Sequence, residues 1–312
     1  MLWLLILLPV AVAVYGFVLL HAVCSRRDRE EGWEDKRVAE SGDAVWKSAW
    51  DSGRDWLDKQ ETEDVEVQSE DGFMLHALLV PHIFPLATVL LFHGWRSSAE
   101  MDFLCLLPFL HSLRLQCLLI DERAQGDSEG QYTTFGVRER LDVPVWAEYA
   151  ANRFGREHPL ILQGLSMGAS VVLMASDAHF DANVRGVVAD CGFTTPYEIV
   201  SAVWRNKTPL PSHFSVWLLD CYTRLFAGFS LRECSSLDAL KKTKLPVLFI
   251  HGAEDKFVPS YMTRQMYDAC SSEKSLLMVE GAGHCMSFLT GRAQYEEAYK
   301  AFAEKILNRH LP

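Results

Sequence analysis

Three observations predict an α/β protein built on a mostly parallel sheet with helices on both faces. Short apolar runs alternate with helix-like segments from residue 65 onward. Most of these runs lack period-two alternation, which suits strands buried on both faces. The rhythm breaks once, over residues 194–240, a stretch rich in aromatics that carries Pro196, Pro209 and Pro211 and offers helices but no clear strand. It reads as a helical lid inserted over the sheet. With 49% hydrophobic and 23% charged residues among 312, a wholly disordered chain is excluded. A net charge of −11 argues against a general nucleic-acid binder, which needs a basic face.

The elements follow in chain order. Residues 1–24, MLWLLILLPVAVAVYGFVLLHAVC, carry no charged side chain. They are long enough for a transmembrane helix, which takes about 20 apolar residues. A cleaved signal would open on a basic stretch and close on small residues. This run does neither, so it is read as a retained anchor that needs no contact with the domain downstream. Arg26, Arg27, Arg29, Lys36 and Arg37 follow it, mixed with Asp28, Glu30, Glu31, Glu34 and Asp35. Basic flanks stay cytoplasmic, so a single-pass membrane protein with its main domain in the cytoplasm is expected. Residues 25–64 read as a polar linker with an amphipathic helix marked by Val45, Trp46, Ala49, Trp50, Gly53, Trp56 and Leu57, open to lying at the membrane surface and expected rather to pack on the domain.

The main domain spans 65–312. VEVQSEDG and FMLHALLVP form a hairpin around Glu70-Asp71-Gly72. Strands follow at 87–94, 115–121, 160–166, 185–190, 245–252 and 275–281. Helices fill the gaps: 97–113 interrupted at Pro108, 136–154 with a start or kink near Asp142 set by Pro144, then 167–177, 260–270 and 293–310. The eight cysteines are scattered without a CxxC pair, which fits free thiols in a reducing compartment.

Chemistry enters at Gly164-Leu165-Ser166-Met167-Gly168, a GxSxG between a strand and an Ala-rich helix. Small residues on both sides let strand and helix approach, and the serine is presented on a strained turn. A nucleophilic serine needs a base, and the base needs an orienting carboxylate. His284 lies in EGAGH and Asp255 in HGAED, each just past a strand. The order Ser, Asp, His places all three at strand C-terminal ends, where parallel α/β folds build their sites. Asp190 also ends a strand and is the runner-up acid; Glu254 is read as solvated, and His251 and His93 as strand-end residues. No HExxH or HxxEH spacing occurs, so neither metal nor cofactor is expected.

These motifs resemble the α/β-hydrolase family over roughly residues 65–309. HGAEDKFVP is similar to its acid-loop segment, GAGH to its histidine loop, and DERAQGDSEG (121–130) to its D-x-R-x-x-G-x-S loop. The pattern is similar to the bacterial serine-aminopeptidase-like and esterase branch. The resemblance implies an α/β-hydrolase fold with eight strands, the second antiparallel. It also implies Ser166 as nucleophile, Asp255 as acid and His284 as base. Backbone N–H groups of Trp95, in the H-G-x turn His93-Gly94-Trp95, and of Met167 would form the oxyanion hole. The side chain of Trp95 is open to walling an acyl pocket, and Arg96 to binding an anion or facing solvent. Asp121 and Arg123 are expected to hold their loop.

The function expected is a serine hydrolase, carboxylesterase-like, acting on a small-molecule acyl ester or amide through an acyl-serine intermediate. An acyltransferase or an aminopeptidase-like enzyme would use the same three residues, and a non-catalytic membrane-bound binding module would share the fold. The lid aromatics Phe193, Tyr197, Trp204, Phe214, Trp217, Tyr222 and Phe226 suit either an apolar substrate or lid packing.

Overall fold

The computed structural model describes residues 2–27, 31–208 and 211–312. Asp28, Arg29 and Glu30 of the charged flank and Pro209 of the insertion lie outside the described residues. Eight strands form one sheet: β1 Glu63–Gln68, β2 Met74–Val80, β3 Ala87–Phe92, β4 Leu115–Ile120, β5 Leu160–Leu165, β6 Val184–Asp190, β7 Val247–Gly252 and β8 Lys274–Val279. Their spatial order is β1-β2-β4-β3-β5-β6-β7-β8. β2 runs antiparallel to both β1 and β4. The pairings β4–β3, β3–β5, β5–β6, β6–β7 and β7–β8 are parallel.

The helices are α1 Leu2–Cys24, α2 Trp33–Glu40, α3 Ala44–Leu57, α4 Ala99–Phe103, α5 Leu107–Ser112, α6 Glu139–Phe154, α7 Met167–Ala175, α8 Pro196–Lys207, α9 Ser212–Tyr222, α10 Ser236–Leu240, α11 Tyr261–Ala269, α12 Ser287–Thr290 and α13 Arg292–Leu307. A single π turn, Thr223–Ala227, follows α9. Pro144 sits inside α6, which begins at Glu139. No strand occurs among the described residues of the insertion, as its sequence suggested.

Residues β3, β5 and β7 are buried along their whole length, which explains their unbroken apolar runs. Alternate side chains still divide between two cores. Leu90 and Phe92 join Trp146, Val172 and Leu219 on one face, with α6, α7 and the insertion. Val89 and Leu91 join Trp50, Phe103, Leu107 and Tyr299 on the other, with α3, α4, α5 and α13.

The amphipathic helix expected within 25–64 is α3, and it packs on the domain: it buries Trp50 and Leu57, and Gly53 passes so near the Leu104 carbonyl that a Cβ there would lie 2.6 Å from its oxygen. One N-terminal expectation is corrected: α1 is not independent of the domain. Its window Leu7–Cys24 is long and apolar enough to cross a bilayer. Yet Leu19, Leu20 and Cys24 are buried in the domain core, while Leu7, Leu8, Val10, Val14 and Val18 are exposed. Thr133 donates its N–H to the Cys24 carbonyl at 2.7 Å, and Arg26 donates to the Gly126 carbonyl. On the lid side the hydroxyls of Tyr15 and Ser215 are 2.8 Å apart, and Phe17 packs on Tyr222 and Phe226. The last carbonyls of a helix have no partner within it, and those at the end of α1 find theirs in the domain, while its apolar side chains bury against the aromatic partners at hand.

Candidate active site

Ser166 stands between β5 and α7 with φ 56° and ψ −113°, a conformation that costs a non-glycine residue on the order of 1–3 kcal/mol. Packing holds it there. The Ser166 N–H donates to the Asp190 carbonyl at 2.8 Å. A Cβ at Gly168 would lie 1.9 Å from the Phe92 oxygen, and one at Gly164 would lie 2.2 Å from the Gly168 carbonyl carbon. Both glycines are therefore steric requirements of the turn.

The three sequence-selected residues meet. Ser166 Oγ is 2.9 Å from His284 Nε2, and His284 Nδ1 is 2.6 Å from Asp255 Oδ2. The other oxygen of Asp255 accepts the N–H groups of Phe257 and Val258 at 2.8 and 2.9 Å. This carboxylate is thus fixed by the backbone of its own loop. Burial alone would raise its pKa, but hydrogen bonds from His251 and His284 outweigh it and hold the group below the ordinary range. For His284 burial works downward, while Cys191 and the bond to Asp255 push the ring up, with a net upward shift.

The runner-up carboxylate does another job. Asp190 is buried and accepts from Ser287 Oγ at 3.0 Å, and burial pushes its pKa up to about 6. Glu254 is exposed, as expected. His251 is more than a strand-end residue: Nδ1 is 2.6 Å from Thr263 Oγ1, and Nε2 lies 3.3 Å from Asp255 Oδ2. Nearby serines are committed elsewhere, Ser97 to Asp102 and Ser170 to the Phe193 carbonyl.

The loop after β3 reaches the serine. A Cβ on Gly94 would lie 3.3 Å from Ser166 Cβ. Asp102 fixes this loop, accepting the Gly94 N–H and the Ser97 hydroxyl, each at 2.6 Å. No motif marked Asp102 in the sequence. Trp95 and Arg96 turn toward α1. Trp95 Nε1 donates to the Val23 carbonyl at 3.2 Å and Arg96 Nη2 to the Ala22 carbonyl at 2.7 Å, with the guanidinium 4.4 Å over the indole. The indole also stacks on Phe135. Arg96 therefore holds a helix end, neither of the roles open to it in the sequence. Arg123 binds Asp142 and Asp71 together, and Asp121 accepts the Asp127 N–H, so both hold their loop as expected.

Comparison with known proteins agrees with this fold. A model of the "Alpha/beta hydrolase family" matches residues 89–301. The uncharacterized protein YqkD of Bacillus subtilis (strain 168) is 27% identical over 303 residues, covering 96% of this chain and 95% of YqkD. Among solved structures, a Pyrococcus furiosus esterase, Pf2001, superposes with TM-score 0.64 at 22% identity, over 79% of this chain and 91% of the esterase. A structure described as a membrane phospholipase A matches 99% of this chain and 100% of its own, with TM-score 0.58 at 18% identity. At such identities these two show the fold.

Proposed function

The chain belongs to the alpha/beta hydrolase family, and from that premise we propose that it is a serine hydrolase of carboxylic esters. The observation that carries this reading is the continuous hydrogen-bonded chain Ser166–His284–Asp255. Ser166 Oγ attacks the acyl carbon while its proton passes to His284 Nε2. Asp255 keeps the ring oriented and stabilises the imidazolium. The backbone N–H groups of Trp95 and Met167 hold the oxyanion; the closeness of Gly94 to Ser166 and the place of Met167 at the start of α7 support this. Collapse of the adduct expels the alcohol, which takes the proton from His284. Water then attacks the acyl-serine by the same route and restores the enzyme.

The same proposal places the enzyme at a membrane through α1, with the domain on the cytoplasmic side. The exposed apolar residues of α1 support it, and so does their continuation onto the lid. Phe17 and Phe226, both partly exposed, touch at 4.7 Å between ring centres, and Trp217 and Leu225 stand exposed beyond them. Such a surface suits an acyl ester of low polarity. The test is fluorophosphonate labelling followed by a panel of p-nitrophenyl esters. We expect labelling of Ser166 and ester turnover, both lost in Ser166→Ala. Labelling that persists on another serine refutes the assignment.

A further inference from the structure

The sulfurs of Cys191 and Cys285 lie 3.7 Å apart beside the proposed base. A tetrahedral zinc ion with Zn–S bonds of about 2.3 Å requires a sulfur–sulfur edge of about 3.8 Å. The two thiols are therefore already spaced as neighbouring ligands of one ion. A third donor is present: a ring nitrogen of His284 and the two sulfurs all lie within 4.8 Å of one another. Cys191 is fully buried just past β6, and Cys285, next in the chain after His284, is partly exposed and gives access. Both take positive φ, 49° and 61°, so two irregular loops converge on one point. With the ion on Nε2, the carboxylate of Asp255 on Nδ1 is the partner that metal-ligating histidines normally have. Ninety-four residues separate the cysteines, so no motif spacing announces the site.

We propose that Cys191, Cys285 and His284 form an inhibitory site for a thiophilic divalent cation, with zinc as the ion its donors select. Two thiols and one imidazole are a soft, zinc-type ligand set with a fourth position left for water or Ser166 Oγ. Binding releases the two thiol protons to solvent and involves no oxidation. An ion on Nε2 takes the base from Ser166, and an ion on Nδ1 takes it from Asp255. Either way the imidazole can no longer accept the serine proton. The inhibitory half of the proposal rests on His284 being the base; the binding half does not.

The test uses the full chain, reduced with a phosphine. Zinc chloride is titrated against p-nitrophenyl ester hydrolysis for the natural chain, Cys191→Ser and Cys285→Ser, each scaled to its own uninhibited rate. The natural chain should be inhibited, EDTA should reverse the inhibition, and each variant should need at least tenfold more zinc. In Ser166→Ala, cadmium should give an ultraviolet thiolate-to-metal band at one ion per chain, lost with Cys285→Ser. Should a variant fail to fold, alkylation of the natural chain read by mass spectrometry replaces it, with zinc protecting Cys285. Equal zinc sensitivity of all three chains, absence of the cadmium band, or protection confined to other cysteines overturns the site. A cadmium band in a chain that hydrolyses no ester would leave the site standing and remove the proposed function alone.

Discussion

Tyr222 closes directly over Gly16. Its hydroxyl donates to the Ala13 carbonyl at 3.0 Å, and its ring carbon stands 2.3 Å from where a Cβ on residue 16 would lie. The first helix and the lid thus share a seam with no room for a side chain. Gly16→Val should push Tyr222 off α1 and loosen α9. The expected readouts are faster proteolysis within 212–227 and a Tm lower by several degrees, as a loss of about 1–3 kcal/mol produces. An unchanged Tm and protease pattern would mean the seam is not closed in solution.

The same seam predicts what shortening the chain does. A chain beginning at residue 12 keeps the Tyr15, Phe17, Ala22 and Val23 contacts; one beginning at residue 28 loses them all. The first should retain hydrolysis of a short soluble ester. The second should lose activity at least tenfold or aggregate, because the apolar side of the lid and the loop at Trp95 are stripped together. Equal rates for the two would show that α1 serves attachment alone.

Ser166, His284 and Asp255 should behave as one unit under substitution. His284→Ala should cost nearly as much as Ser166→Ala, on the order of 10³-fold or more in kcat, and Asp255→Asn somewhat less. Because Asp255 pushes the His284 ring upward, removing its charge should move the acid limb of the rate profile to lower pH. Steady-state kinetics across pH decide it, and an acid limb that stays in place would exclude the coupling.

Asp190 separates stability from turnover. Its folded pKa, about 6, lies above the ordinary 3.8, so between those values the native state binds more protons than the unfolded one. Its contribution to stability therefore falls as pH rises through that window and is constant above it. Asp190→Asn should flatten the pH dependence of unfolding there, and should move the acid limb of turnover less than Asp255→Asn does, because Asp190 reaches His284 by charge alone and Asp255 is hydrogen-bonded to it. Denaturant midpoints from pH 4 to 7 test this.

Asp102 is a positioning residue that acts through the loop it holds. Asp102→Ala leaves the Gly94 N–H and Ser97 hydroxyl without their acceptor. We expect kcat to fall about 10–100-fold with KM little changed, since an oxyanion donor works mainly in the transition state. A fall in expression with normal kcat would instead mark Asp102 as structural only.

The sheet was legible because fully buried strands read as unbroken apolar runs, and β3, β5 and β7 are such runs. Ser166, Asp255 and His284 could be picked out because each lies in a short glycine-bearing motif just past a strand, and at Gly164, Gly168 and Gly252 a side chain would collide with backbone. The seam was not, because Leu19 facing protein and Leu8 facing outward are the same letter in the same run. Arg96 was misjudged for a related reason: a backbone carbonyl such as that of Ala22 leaves no mark on the sequence. Asp102 and the Cys191–Cys285 pair act across the fold, through neighbours that chain distance hides.

The 1.9 Å approach that a Gly168 side chain would make to the Phe92 oxygen leaves the turn at Ser166 with no slack. Neither residue 164 nor residue 168 can be varied to suit a new substrate, since any side chain would move the serine before it touched a ligand. Selectivity in this enzyme has to be tuned elsewhere, in the insertion over 194–240 and the loop from Gly94 to Ser98. A library aimed at new substrates should diversify those two segments and hold the turn constant.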